Sequence, residues 1–249
     1  MQCNPKLEIR EQASRFTLDG VVPTDGRNPI KHNYPKGLKP RYEKNRQLFK
    51  GEDNLRKVLL QRVFTSTEGL PGRKHHIESN LINLYTSLPS IEHEGMMGDI
   101  ITDQEMADRW EGDNLGVFSW VFDTHRQMIP ILQDLLKKAA AAIDGSSDRV
   151  ADLRFGHDTC IGPLTILMGI NGADKDPEDP NEVKNIYQSW ETCKASNIQL
   201  IFYRSKKAAD DVLVKCLMNG EEATLPVPTS SYPYYKWTDF QKFYTERCK

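Results

Sequence analysis

The side chains with most to offer chemically stand in one short string, Arg154-Phe155-Gly156-His157-Asp158-Thr159. An imidazole can hold a phosphate oxygen. A carboxylic acid beside a bound phosphate keeps its proton more readily, because neighbouring negative charge disfavours ionisation. It can then protonate the oxygen of a leaving group as a general acid. Arg154 lies four residues before Asp158 and either binds an anion or braces the turn. A Gly-His-Asp turn also occurs where the two side chains only satisfy the backbone of a tight bend, so the string alone leaves both readings open.

The elements around the string must aim these groups. Residues 150–155 carry apolar Val150, Leu153 and Phe155 and read as a strand, and residues 159–168 read as an apolar helix. The turn between them then sits at the carboxyl end of a strand, where open α/β sheets place their ligands. The start of the following helix adds unpaired N–H groups and the positive end of a dipole, which suits a phosphate or another anion.

The chain has 249 residues and a formal net charge of −2, enough for one large domain or two small ones. Its 38% hydrophobic content supports a packed core. No basic excess points to a nucleic-acid partner. Apolar runs such as 161–170 are too short to span a bilayer. The five cysteines are scattered without a Cys-x-x-Cys pair, which argues against a zinc ribbon and for buried free thiols. His75-His76 with Glu78, and Glu92-His93-Glu94, have metal-like composition but not the spacing of a zinc site, and read as solvated residues. The residues therefore call for no metal and no cofactor. The opening Met1-Gln2-Cys3-Asn4-Pro5-Lys6 has no apolar h-region and is not a signal peptide.

Three regions follow from the texture of the chain. Residues 1–50 are polar and irregular, a connecting segment with a short helix at 8–18 and loop chemistry after it. Residues 51–145 are mainly helical, a cap or insert. Leu55, Val58, Leu59 and Val63 space a helix over 52–66, and a turn follows at 67–72. A second helix is expected over 77–88. Thr102-Asp103-Gln104-Glu105 makes a capping box. Pro130 falls in the first turn of a further helix that buries Ile131, Leu132, Leu135, Leu136 and Ala139, exposes Lys137 and Lys138, and stops at Gly145. Residues 146–249 carry the strands. After the turn come an acidic loop over 174–180, a helical stretch over 182–193 and a strand over 198–203. Two strands over 212–217 and 223–227 flank the Asn219-Gly220 hairpin signal, and a helix over 237–248 ends the chain. Lys206-Lys207 reads as an exposed face. The cluster of Tyr232, Tyr234, Tyr235 and Trp237 reads as packing for the last helix.

The longer string Asp152-Leu153-Arg154-Phe155-Gly156-His157-Asp158-Thr159, with Pro163-Leu164 and Met168-Gly169-Ile170 after it, resembles the His-Asp motif region of histidine acid phosphatases. The likeness is greatest to the bacterial branch with phytase-like and multiple-inositol-polyphosphate-phosphatase-like enzymes. Asn4-Pro5-Lys6-Leu7-Glu8-Ile9-Arg10, Asn197-Ile198-Gln199-Leu200-Ile201-Phe202-Tyr203-Arg204 and Tyr234-Tyr235-Lys236-Trp237 resemble the same branch, in order along the chain. The resemblance implies an α/β fold, a phosphoglycerate-mutase-like histidine phosphatase sheet, incomplete here, with a helical cap or insert. It implies hydrolysis of phosphomonoesters such as phytate or other inositol polyphosphates, without metal, by a parent enzyme exported to the periplasm or cell surface. It assigns Asp158 as proton donor, His157 as phosphate ligand and Arg154 to a supporting role. The family's attacking histidine lies in an Arg-His-Gly-x-Arg motif. None of His32, His75, His76, His93, His125 or His157 stands between Arg and Gly. The expectation is a C-terminal portion whose partner is the missing N-terminal portion of the same enzyme, inactive alone. The alternative is a degenerate, non-catalytic module that binds phosphorylated ligands.

Overall fold

The computed structural model describes residues 51–66, 74–193, 195–205 and 212–249. The expected connecting segment over 1–50, the turn over 67–72, and Cys3, Lys206 and Lys207 lie outside the described residues, as do the side chains of His75 and His76. The described chain is mixed α/β, with helices beside a small antiparallel sheet. It divides into two compact units. One holds Trp120–Pro177 and Ile186–Lys249, the other the described part of Pro40–Ser119 with Glu178–Asn185.

The second unit is helical. Helix α1 (Gly51–Val63) and helix α2 (Lys74–Tyr85) precede a 3-10 turn at Leu88–Ile91, and α3 (Asp103–Thr124) runs on into the first unit. Leu55 and Leu59, one turn apart on α1, are buried with Leu88, Met97 and Ile101. Burial of such a side chain contributes roughly 1.5–3 kcal/mol. The capping box forms as its spacing requires. The Thr102 backbone N–H donates to Glu105 Oε2 at 3.0 Å, and the Glu105 N–H donates to Thr102 Oγ1 at 3.2 Å. The Arg62 guanidinium also grips Glu105, and these bonds together lower its carboxyl to about 2.

In the first unit a 3-10 turn, His125–Met128, leads into α4 (Ile129–Asp144). Pro130 sits in its first turn and Gly145 ends it with φ of 82°, as expected. Leu132 and Leu136 are buried, with Ile131, Leu135 and Ala139 packed against the same core. Helix α5 (Asp158–Met168) follows. The helical stretch expected over 182–193 is broken. A single turn, α6 (Val183–Ile186), and a 3-10 turn (Ser189–Thr192) replace it.

Strands β1 (Ile198–Arg204) and β2 (Val212–Met218) pair antiparallel, Phe202 opposite Val214. Asn219 and Gly220 both take positive φ, the backbone a two-residue hairpin needs. The return strand β3 is only Glu221–Glu222, shorter than the expected 223–227. Beyond it Ala223, Leu225 and Val227 still alternate into the core, and the Leu225 N–H donates to Tyr235 Oη instead of a ladder. Strand β4 (Tyr234–Lys236) takes the other end of β2's edge, Tyr235 opposite Val214. β1 therefore has one paired side and one open side among the described residues. Helix α7 (Trp237–Arg247) closes the unit, burying Trp237, Phe240 and Tyr244 beside Tyr235, so the aromatic cluster packs as expected, except that Tyr232 is exposed. Cys216 and Cys248 are buried free thiols, and burial pushes Cys216 up to about 12. Cys160 is half-buried, and Cys193 is exposed, contrary to the expectation of burial.

The strand expected over 150–155 does not form. A strand is held by its neighbours' ladder bonds. Val150, Ala151, Leu153, Phe155 and Gly156 make no hydrogen bond to another described residue. Leu153 is 74% and Phe155 95% exposed. The apolar pattern is that of a strand, but no sheet edge meets it.

Candidate active site

His157 caps α5 from extended backbone, φ −108° and ψ 166°, and its side chain makes no capping bond. Its carbonyl accepts from the N–H groups of Cys160 at 2.9 Å and Ile161 at 3.2 Å. Asp158 is the first helical residue, and its Oδ1 accepts from the Thr159 N–H at 2.8 Å. Both side chains are exposed. A carboxylate here faces the positive end of the helix. The sequence thus placed both groups at a helix start correctly, though not at the end of a sheet strand.

The middle and the far end of α5 are fixed from within the unit. Gly162 lets it approach closely, since a Cβ there would come within 2.8 Å of Val121 Cγ1 and 3.2 Å of Tyr187 Oη. Pro163 lies inside the helix and has no N–H to give its preceding turn. At the far end Tyr244 Oη donates to the Met168 carbonyl at 2.7 Å. Tyr187 is buried and bonded to Thr192 Oγ1 at 2.7 Å. Burial pushes its phenol up to about 12; the Thr192 bond opposes this and the nearby Asp158 carboxylate adds to it.

Arg154 is turned to α4. Its Nη2 donates to Asp134 Oδ2 at 2.6 Å and to Asp152 Oδ2 at 2.8 Å. Lys138 Nζ reaches the same two carboxylates at 2.9 and 3.5 Å, and Arg149 Nη1 stands 3.7 Å from Asp152. Burial works to raise both carboxyls, but the bonds from Lys138 and Arg154 to Asp134, and from Arg154 to Asp152, outweigh it and hold both low. Neither His157 nor Asp158 takes a hydrogen bond from Arg154. Of the two roles the string left open, this geometry is that of a brace.

Sequence reading missed Asp134, Lys138 and Tyr187. Asp134 and Lys138 did leave a signal, an acid four residues before a base on one helix. Lys138, expected to be free on an outer face, is engaged by two acids. Tyr187 left none. Glu92, His93 and Glu94 are exposed. Among the described residues no group of three or more His, Cys, Asp or Glu side chains could hold a metal ion, and no helix is long and apolar enough to cross a membrane.

No protein-family model matches the chain, and no curated protein matches it.

Proposed function

We propose that the chain is the His-Asp portion of a histidine-type acid phosphatase acting on phosphomonoesters, inositol polyphosphates such as phytate among them. The observation that carries this reading is the string from Asp152 to Thr159, with His157 and Asp158 side by side and exposed at the start of a well-anchored helix. His157 and the helix start hold a phosphate oxygen. As the P–O bond to the alcohol breaks, the Asp158 carboxyl gives its proton to the departing oxygen. The attacking histidine forms the new N–P bond and comes from outside this chain, from the N-terminal portion of an exported enzyme with the histidine phosphatase fold. Arg154 holds the segment against α4 through Asp134 and Asp152.

Alone, the chain turns nothing over, because it keeps the acid and lacks the nucleophile. The test is hydrolysis of a generic phosphomonoester at acid pH by the purified chain, with Asp158→Asn beside it. Turnover by the chain that Asp158→Asn abolishes would show that the attacking group is present and overturn the partition. A calorimetric titration with phosphate and with phytate separates this reading from a binding module. Little or no heat is expected from the chain alone, because Arg154 is engaged by two carboxylates and His157 and the helix start are left to hold the anion without the attacking portion's groups.

A further inference from the structure

Residues 149–156 form a strap without helix or ladder that is tied to α4 through Asp152 and Arg154. Over 151–155 its side chains alternate. Asp152 and Arg154 turn inward to the ion pairs with Asp134 and Lys138, while Leu153 and Phe155 turn to solvent with Ala151, also exposed. Of the even-numbered residues Asp152 and Arg154 face the helix, while Val150 at 61% exposed and Gly156 stand in solvent with Ala151, Leu153 and Phe155. The ion pairs hold the strap against α4, and Ala151, Leu153 and Phe155 give it an exposed apolar side. The N–H and C=O groups of Ala151, Leu153 and Phe155 have no partner among the described residues. Such an edge recognises another extended backbone.

The occupant can be read from the strap's own order of residues. In antiparallel pairing about Leu153 with a second copy, Leu153 faces Leu153, and Ala151 faces Phe155, small against large. Val150 faces Gly156, and Asp152 faces Arg154. The two inward pairs then make a four-membered ring of alternating charge, each Asp between its own Arg154 and its neighbour's. Opposite charges and apolar pairs across a ladder stabilise it, and a two-fold contact requires this self-complementarity. We infer that residues 150–156 are a self-pairing strand through which two copies of this chain associate about a two-fold axis at Leu153. The inference does not rest on the phosphatase reading, and no step of that chemistry enters it.

Light scattering on the eluting chain at tens of micromolar tests it first. The expected species has twice the 28.5 kDa of one chain. Leu153→Lys sets two ammonium groups face to face and should return the chain to single copies with an unchanged circular dichroism spectrum. Leu84→Lys, at an exposed apolar site in the other unit, should leave the pair intact. A second variant fixes the register. With Cys3 and Cys193 changed to Ser, Leu153→Cys should form a disulfide between copies under oxidised glutathione. Opposed antiparallel positions lie about 4.5–5.5 Å apart between Cα atoms, within disulfide reach. Ala151→Cys should not, since its two copies would stand about 13 Å apart along the ladder. A single-copy mass at these concentrations, a pair that survives Leu153→Lys, or cross-linking at 151 as readily as at 153 would each overturn the inference.

Discussion

Tyr244→Phe tests how the candidate site is held. Helix α5 presents His157 and Asp158 at its start, and its last turn is tied by one buried bond from Tyr244 Oη to the Met168 carbonyl at 2.7 Å. Tyr244 is fully buried, and burial raises its phenol far above its ordinary value, so it remains a donor throughout the working pH range. Phenylalanine keeps the ring and its contacts with Phe240 and Phe243 but leaves the carbonyl without its donor. Stranding one buried partner costs about 1–3 kcal/mol, whereas the net worth of a made bond is nearer 1. At a urea slope of about 2 kcal/mol per molar, the unfolding midpoint falls by roughly 0.5–1.5 M. The assay is urea denaturation followed by tryptophan fluorescence, since Trp237 lies on the same helix and stacks on Phe240. The slope should not change, because the exposed area does not. A midpoint within about 0.1 M of the parent at equal slope would mean that the carbonyl finds another donor, and the account of how α5 is anchored would fail.

Glu105 gives a pH prediction. Its folded carboxyl is lowered to about 2 from an ordinary 4.5, first by Arg62 and then by the Thr102 backbone. A depressed carboxyl contributes stability above its unfolded value and loses it as pH falls. Melting temperature should therefore drop between pH 4.5 and about 2, and Glu105→Gln should remove that part of the slope. Gly162→Ala should destabilise by about 1–3 kcal/mol in the same urea assay, because the added methyl meets Val121 and Tyr187 in a packed interior. In a thiol titration with peptide mapping, Cys193 should react in the native chain. Cys216, buried and raised to about 12, should react only after unfolding.

Local chemistry was legible in the sequence wherever a few neighbouring residues decide the backbone. Thr102 and Glu105 set a helix start, Pro130 and Gly145 bracketed α4, and Asn219-Gly220 made a turn, because capping bonds and allowed φ values involve only adjacent residues. The side-by-side placement of His157 and Asp158 at the start of α5 was legible for the same reason. What needed three dimensions was anything settled by a partner far along the chain. Residues 150–155 have the pattern of a strand, yet a strand exists only where a neighbouring backbone takes its hydrogen bonds, and no described residue takes those of Ala151, Leu153 or Phe155. Residues 223–227 kept their inward alternation but gave up the ladder, since Tyr235 and Asn171 claim their backbone groups. Arg154 could have met an anion or a carboxylate. Asp134, twenty positions earlier, decided for the brace, because helix α4 packs where only the folded core can put it.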